Sequence, residues 1–155
     1  MGLSSQAGLV TTKKAAAQFL LGSLCALFWA NSTAVSAQEI SKPVELAGKK
    51  LTVLLEPREA SCLKAKPIAI NKLFCFRVTV LGGNEAWLKG LRVSKFDALM
   101  PDHHHGMITR PKITAKKSGE YLIEGVKLHM AGDWSVELKL EHGQATTQVA
   151  IPLKL

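Results

Sequence analysis

The chain has 155 residues, the length of one domain, and its 20 Lys and Arg outweigh 12 Asp and Glu to give a formal charge of +8. The lysines alternate with apolar residues (Lys127, Lys139, Lys154) or lie scattered in loops, without the aromatic interleaving of a single-strand binder. The basic balance therefore reads as a solvated surface, with no nucleic-acid partner. No Ser/His/Asp spacing, phosphate-cradling Gly-rich loop or Cys-x-x-Cys pair occurs, which argues against an enzyme.

Lys13 and Lys14 precede an apolar run from Ala15 to Ala30, and Val35-Ser36-Ala37 supplies the small residues that a signal peptidase reads. Residues 1–37 are therefore expected to be a signal peptide cleaved before Gln38, leaving residues 38–155 as a single β-sandwich domain. The run contains Gln18 and falls short of the about 20 apolar residues of a membrane span. An uncleaved anchor is the alternative. Leu24 stands before Cys25 where lipidation requires a small residue, so a lipid anchor is discounted.

From Gln38 to Gly48 the chain is polar and reads as loose. Lys50 to Leu55 is the first expected strand, with Pro57 ending its pairing, and residues 58–71 form a connection. Leu73 to Leu81, rich in aromatic and β-branched residues, is the strongest strand and stops at Gly82-Gly83-Asn84. Alternation puts Phe74, Phe76, Val78 and Val80 inside and Cys75, Arg77 and Thr79 outside. Cys62 lies in the preceding connection. An even pair in an exported chain favours a Cys62–Cys75 disulfide, ahead of free thiols and, last, of soft copper ligands.

Trp87 and Leu88 are expected to seal the next loop against the core, and Leu91 to Phe96 is a strand that delivers the chain to Met100. In Met100-Pro101-Asp102-His103-His104-His105-Gly106-Met107, three of the five histidines and two of the four methionines fall within eight positions. Imidazole nitrogen and thioether sulfur together suit copper, because Met sulfur favours Cu(I) and His serves both Cu(I) and Cu(II). Pro101 and Gly106 read as a loop that bends these side chains toward a common point. The plainer alternative is a solvated loop whose methionines peg its ends to the core.

Pro111 to Lys116 resumes extended structure, and Lys117-Ser118-Gly119 is a turn. Tyr121 to Met130 alternates, with Val126, Leu128 and Met130 on one face and Lys127 and His129 on the other. Ala131-Gly132-Asp133 reverses into Trp134 to Leu140, the cleanest period-two stretch, which makes Trp134 a core residue. Ala145 to Leu153 closes the chain, and no convincing helical periodicity follows residue 38. About seven short strands with turn signals between them argue for an all-β, immunoglobulin-like antiparallel sandwich. Ser118-Gly119-Glu120-Tyr121 resembles the tyrosine corner of such folds.

Pro67-Ile68-Ala69-Ile70-Asn71-Lys72-Leu73-Phe74, Met100-Pro101 with His103, His105 and Met107, Gly119-Glu120-Tyr121, and Leu128-His129-Met130-Ala131-Gly132-Asp133-Trp134 occur in this order. Together they resemble the YtkA-like or FixH-like family, over roughly Leu51 to Leu153. The resemblance implies an exported or membrane-tethered β-sandwich associated with copper handling or oxidase assembly. His104 stands where family loops commonly have Gly, which leaves open whether it is a third ligand or a solvent-facing spacer.

The leading expectation is a monomeric periplasmic or secreted copper-binding carrier, buffer or assembly chaperone. Its candidate ligands are His103, His105, Met107, Met100 and His129, with His104 and Met130 ranked lower. Its partners would be copper-handling or oxidase-assembly membrane proteins, and an uncleaved N-terminal segment would tether it to the inner membrane. The alternative is a non-metal interaction module that docks on a membrane-associated complex.

Overall fold

The structure is a computed structural model describing residues 39–155; the expected signal peptide and its cleavage before Gln38 lie outside the described residues. Nine strands form two antiparallel sheets. These are β1 (Ile40–Leu46), β2 (Lys49–Arg58), β3 (Phe74–Leu81), β4 (Leu91–Met100), β5 (His105–Gly106), β6 (Lys112–Lys117), β7 (Glu120–Val126), β8 (Asp133–His142) and β9 (Ala145–Lys154). One sheet has the order β1-β2-β3-β7-β6 and the other β5-β4-β8-β9.

Taking β2, β3, β4, β6, β7, β8 and β9 as strands A to G reproduces the A-B-E-D and C-F-G sheets of an immunoglobulin-like sandwich. The seven expected strands are all present. The two additions are β5, which extends the second sheet beside β4, and β1.

β1 corrects the expectation of a loose start. It pairs residue for residue with β2, from Ile40 opposite Leu55 to Leu46 opposite Lys49, and buries Leu46 in the core. Pro57 does not end β2 either, because it stays opposite Phe76 in the ladder to β3. Its carbonyl accepts from Lys66 N at 3.1 Å, on the side away from β3. N and O of one residue point the same way along an antiparallel strand, so the missing proline N–H falls on that side too and costs β3 nothing.

Two-residue alternation builds the core. Val53, Leu55, Phe76, Val78 and Ile123 face Ala98, Trp134, Val136, Leu138 and Ile151 across the sandwich, all buried. In β4 the parity changes: Leu91 and Val93 face inward, then Phe96, Ala98 and Met100. A register irregularity against β8 between Val93 and Lys95 supplies the extra residue. Without that bulge Met100 would face outward; with it, Met100 is 1% exposed.

Between β3 and β4 a five-residue helix, α1 (Glu85–Lys89), is capped by Asn84, whose side chain accepts from Trp87 N. The helix was invisible to periodicity because a single turn is too short to show one. Trp87 and Leu88 pack against the core as expected. Tyr121 does not form the tyrosine corner. It starts β7 rather than strand F, and its hydroxyl donates at 2.6 Å across the sandwich to the Leu91 carbonyl, thirty residues upstream. Burial raises its phenol pKa above the ordinary value.

Cys62 and Cys75 are bonded, with Cα atoms 5.4 Å apart. Cys75 lies on the outer face of β3, as its parity requires, yet is fully buried because the pinned 59–73 loop covers it.

Candidate metal site

The expected loop is a hairpin built on the end of β4. Pro101–His103 forms one turn of 3-10 helix, His104 takes the left-handed conformation (φ 52°, ψ 28°), and β5 returns along β4 with Met100 opposite His105 and Leu99 opposite Gly106. The bend therefore lies at His104 and not at Gly106. Gly106 serves a different purpose: a Cβ there would stand a tight 3.0 Å from the Ala98 carbonyl oxygen.

Residues directly opposite in an antiparallel ladder share a face, so Met100 and His105 lie on the same side of the hairpin. Met107 donates its N–H to Ala98 O at 2.8 Å and, two residues on from His105, falls on that side as well. Met100 is buried, Met107 is half-buried against the core, and His103, His104 and His105 are exposed.

The segment joining β7 to β8 arrives at this same end. Gly132 takes φ 130°, a region that residues with a Cβ rarely adopt, and a Cβ there would stand 2.8 Å from Met100 Cε. The Gly of the Met-x-Gly-x-Trp turn thus gives room to the Met of the Met-Pro loop. The two short motifs meet physically, although about thirty residues separate them.

Three imidazoles follow one another across the junction. The ring centres of His103 and His105 are 5.7 Å apart and those of His105 and His129 5.4 Å apart; His129 then meets the Trp134 ring edge-on at 5.6 Å. With metal–nitrogen bonds of about 2.0 Å, two tetrahedrally disposed imidazoles on one ion have ring centres roughly 5 Å apart. Each neighbouring pair is a little wider than two ligands of one ion would be. Among the described residues, however, no three His, Cys, Asp or Glu side chains converge as a closed site requires.

His129 is not the freely outward residue that alternation predicts. It is half-buried, and its Nδ1 is enclosed without a hydrogen-bond partner. A buried polar atom left unpaired costs about 1–3 kcal/mol, and β7 ends at Val126, before the outward parity could carry through to residue 129. Met130 is also misplaced by alternation: it is exposed, and its carbonyl accepts from Trp134 Nε1 at 3.1 Å. Trp134 itself is core, as expected.

His104 sits on the bend, beside a shallow depression lined by Asp97, Met100, Pro101 and His105. His142 lies at the far end of β8, stacked on Trp87 with ring centres 4.1 Å apart and Nε2 3.1 Å from the Trp87 carbonyl. The bonded cysteines have no thiolate to offer a metal. Sequence reasoning missed the Met100–Gly132 contact and the Trp134 edge on His129, because both depend on how the two sheets overlie each other. No family model matches the chain, and no curated protein or solved structure matches it either.

Proposed function

We propose that this protein is an exported copper-binding carrier or buffer, with the His/Met hairpin and the turn before Trp134 forming the cargo site. The observation that carries this reading is the row His103–His105–His129, at close to shared-ligand spacing, with two methionines on the His105 side of the hairpin. Imidazole supplies ligands for Cu(II) and Cu(I), and Met100 and Met107 add thioether for the softer ion. The unpaired Nδ1 of His129 suits a site completed by its cargo. An open row of exposed rings suits a carrier, since a partner's ligands can reach the ion and take it by exchange. The resemblance to YtkA-like proteins agrees with this role and with a copper-handling or oxidase-assembly membrane partner in the periplasm.

Trp134 touches His129 whereas Trp87 lies at the opposite end of β4 and β8. Titrating residues 38–155 with Cu(II) should therefore quench Trp134 emission and spare Trp87, resolved by comparing Trp87→Phe with the parent. Quenching of both tryptophans alike, or of neither, would remove the hairpin site. The competing reading, a metal-independent interaction module, draws on the exposed Ile108 and Met130 near the histidines. Partner capture that persists with copper removed and with His105→Ala would favour it.

A further inference from the structure

Among the described residues, the 59–73 loop between β2 and β3 holds three of the six exposed large apolar side chains. It carries Leu63 at 76%, Leu73 at 56% and Ile70 at 43% exposure. Lys64, Lys66 and Lys72 are interleaved with them, and after Glu59 at the start of the loop no Asp or Glu occurs until Glu85. Among the described residues none of these three lysines has an acid within ion-pair distance. The lysines elsewhere fit a solvated surface; these do not, because a solvated loop has no reason to hold three large aliphatic side chains in water.

The loop is also held in place. The Cys62–Cys75 bond pins one end, Glu59 N donates to Lys64 O at 2.9 Å, Lys66 N donates to Pro57 O, and Asn71 N donates to Leu128 O at 2.7 Å. The backbone that presents Leu63, Ile70 and Leu73 outward is thus tied down at several points. Between the loop and β3 runs a groove of about 450 Å³, whose lining includes Arg58, Lys66, Lys72, Leu73 and Phe74 together with one acid, Glu59. Arg58 at its base is only 8% exposed; Nη1 donates to Cys62 O at 3.0 Å, while Nε is buried without a hydrogen bond, 3.6 Å from Glu56.

We propose that this loop is a docking surface for an anionic lipid membrane. Leu63, Ile70 and Leu73 enter the boundary between headgroups and acyl chains, and Lys64, Lys66 and Lys72 stay at headgroup level and pair with lipid phosphates. The groove over Arg58 receives a headgroup, since the guanidinium has donors to spare for a phosphate. The charge pattern selects this occupant: three lysines and Arg58 against a single acid, Glu59, which accepts from the Ser61 hydroxyl at 2.6 Å, alternate with aliphatic side chains and match an anionic interface of uniform chemistry. The Asn71–Leu128 bond sets the docked loop beside His129, so a docked molecule would hold its histidine row next to the membrane.

The test is co-sedimentation of residues 38–155, which contain all nine strands, the disulfide and the whole core cluster. Phosphatidylcholine vesicles are compared with vesicles containing phosphatidylglycerol, without copper. The protein should sediment with the anionic vesicles alone, and high salt should release it. L63S/I70S/L73S should abolish sedimentation with melting and disulfide unchanged, because all three side chains are exposed. K64Q/K66Q/K72Q should weaken it about five-fold per lysine, and L81S, an exposed leucine outside the loop, should leave it intact. Equal partition to both vesicle types, no sedimentation with either, or retention by the apolar triple variant would overturn the proposal. A loop that serves as a protein contact would give the second of these results. Copper binding is not required for any of them, so the outcome is independent of the metal site.

Discussion

Replacing Gly132 by Ala tests whether the two motifs meet as described. The new methyl is forced into φ 130° and stands 2.8 Å from Met100 Cε. Backbone strain of about 1–3 kcal/mol adds to an overpacking penalty at the lower end of the usual about 1–3 kcal/mol, because a Met terminus yields more easily than a backbone. The expected total loss in urea denaturation of residues 38–155 is about 2–4 kcal/mol. Met100→Leu alone should cost less than about 1.5 kcal/mol, being close in volume. Leu lacks the Cε methyl that the new Cβ strikes, so in the double variant the overpacking part vanishes and only backbone strain remains. The cycle should show a favourable coupling of roughly 1 kcal/mol. Additivity to within about 0.5 kcal/mol would refute the contact and with it the junction that sets His129 beside His105.

Four further outcomes follow from the same structure. Cys62 and Cys75 should resist alkylation in the absence of reductant, and replacing both with Ser should cost about 3 kcal/mol by the loop-closure estimate; two adducts would show free thiols. Tyr121→Phe should cost about 1 kcal/mol by removing the buried hydrogen bond to the Leu91 carbonyl, measured by thermal melting. Because burial raises the Tyr121 pKa above its ordinary value of 10.0, the neutral phenol favours the folded state. The parent's stability should therefore be full below about pH 10 and fall as pH rises through and beyond it, whereas Tyr121→Phe should lose that part of the alkaline slope. His142→Ala should lower stability by about 1 kcal/mol through loss of the Trp87 stack and carbonyl bond, while leaving copper affinity unchanged.

Strands were legible where one face is buried and the other wet. β3 and β8 show clean alternation, and the sandwich followed from their spacing. β1 was hidden because Ser41, Lys42 and Pro43 give an edge strand little apolar signal, and Pro57 looked like a stop because sequence does not tell which side of a strand lacks a partner. The loop donors were legible as residue types. Their arrangement was not: the bulge after Val93 decides that Met100 faces inward, and strict alternation beyond Val126 misplaced both His129 and Met130. Gly106 and Gly132 looked like turn formers, yet each also makes room for a specific neighbour.

The measurement closest to the central claim is competitive titration of residues 38–155 with Cu(I) and Cu(II), comparing the parent with His105→Ala/His129→Ala and with Met100→Leu/Met107→Leu. The first pair breaks the imidazole row, so binding of both copper states should weaken. The second pair removes only thioether, so Cu(I) should weaken far more than Cu(II), with the fold preserved by the near-equal volume of Leu. A His pair variant that binds both ions as tightly as the parent would contradict the account. A Met pair variant that loses stability but keeps its Cu(I) affinity would reduce Met100 and Met107 to pegs of the core.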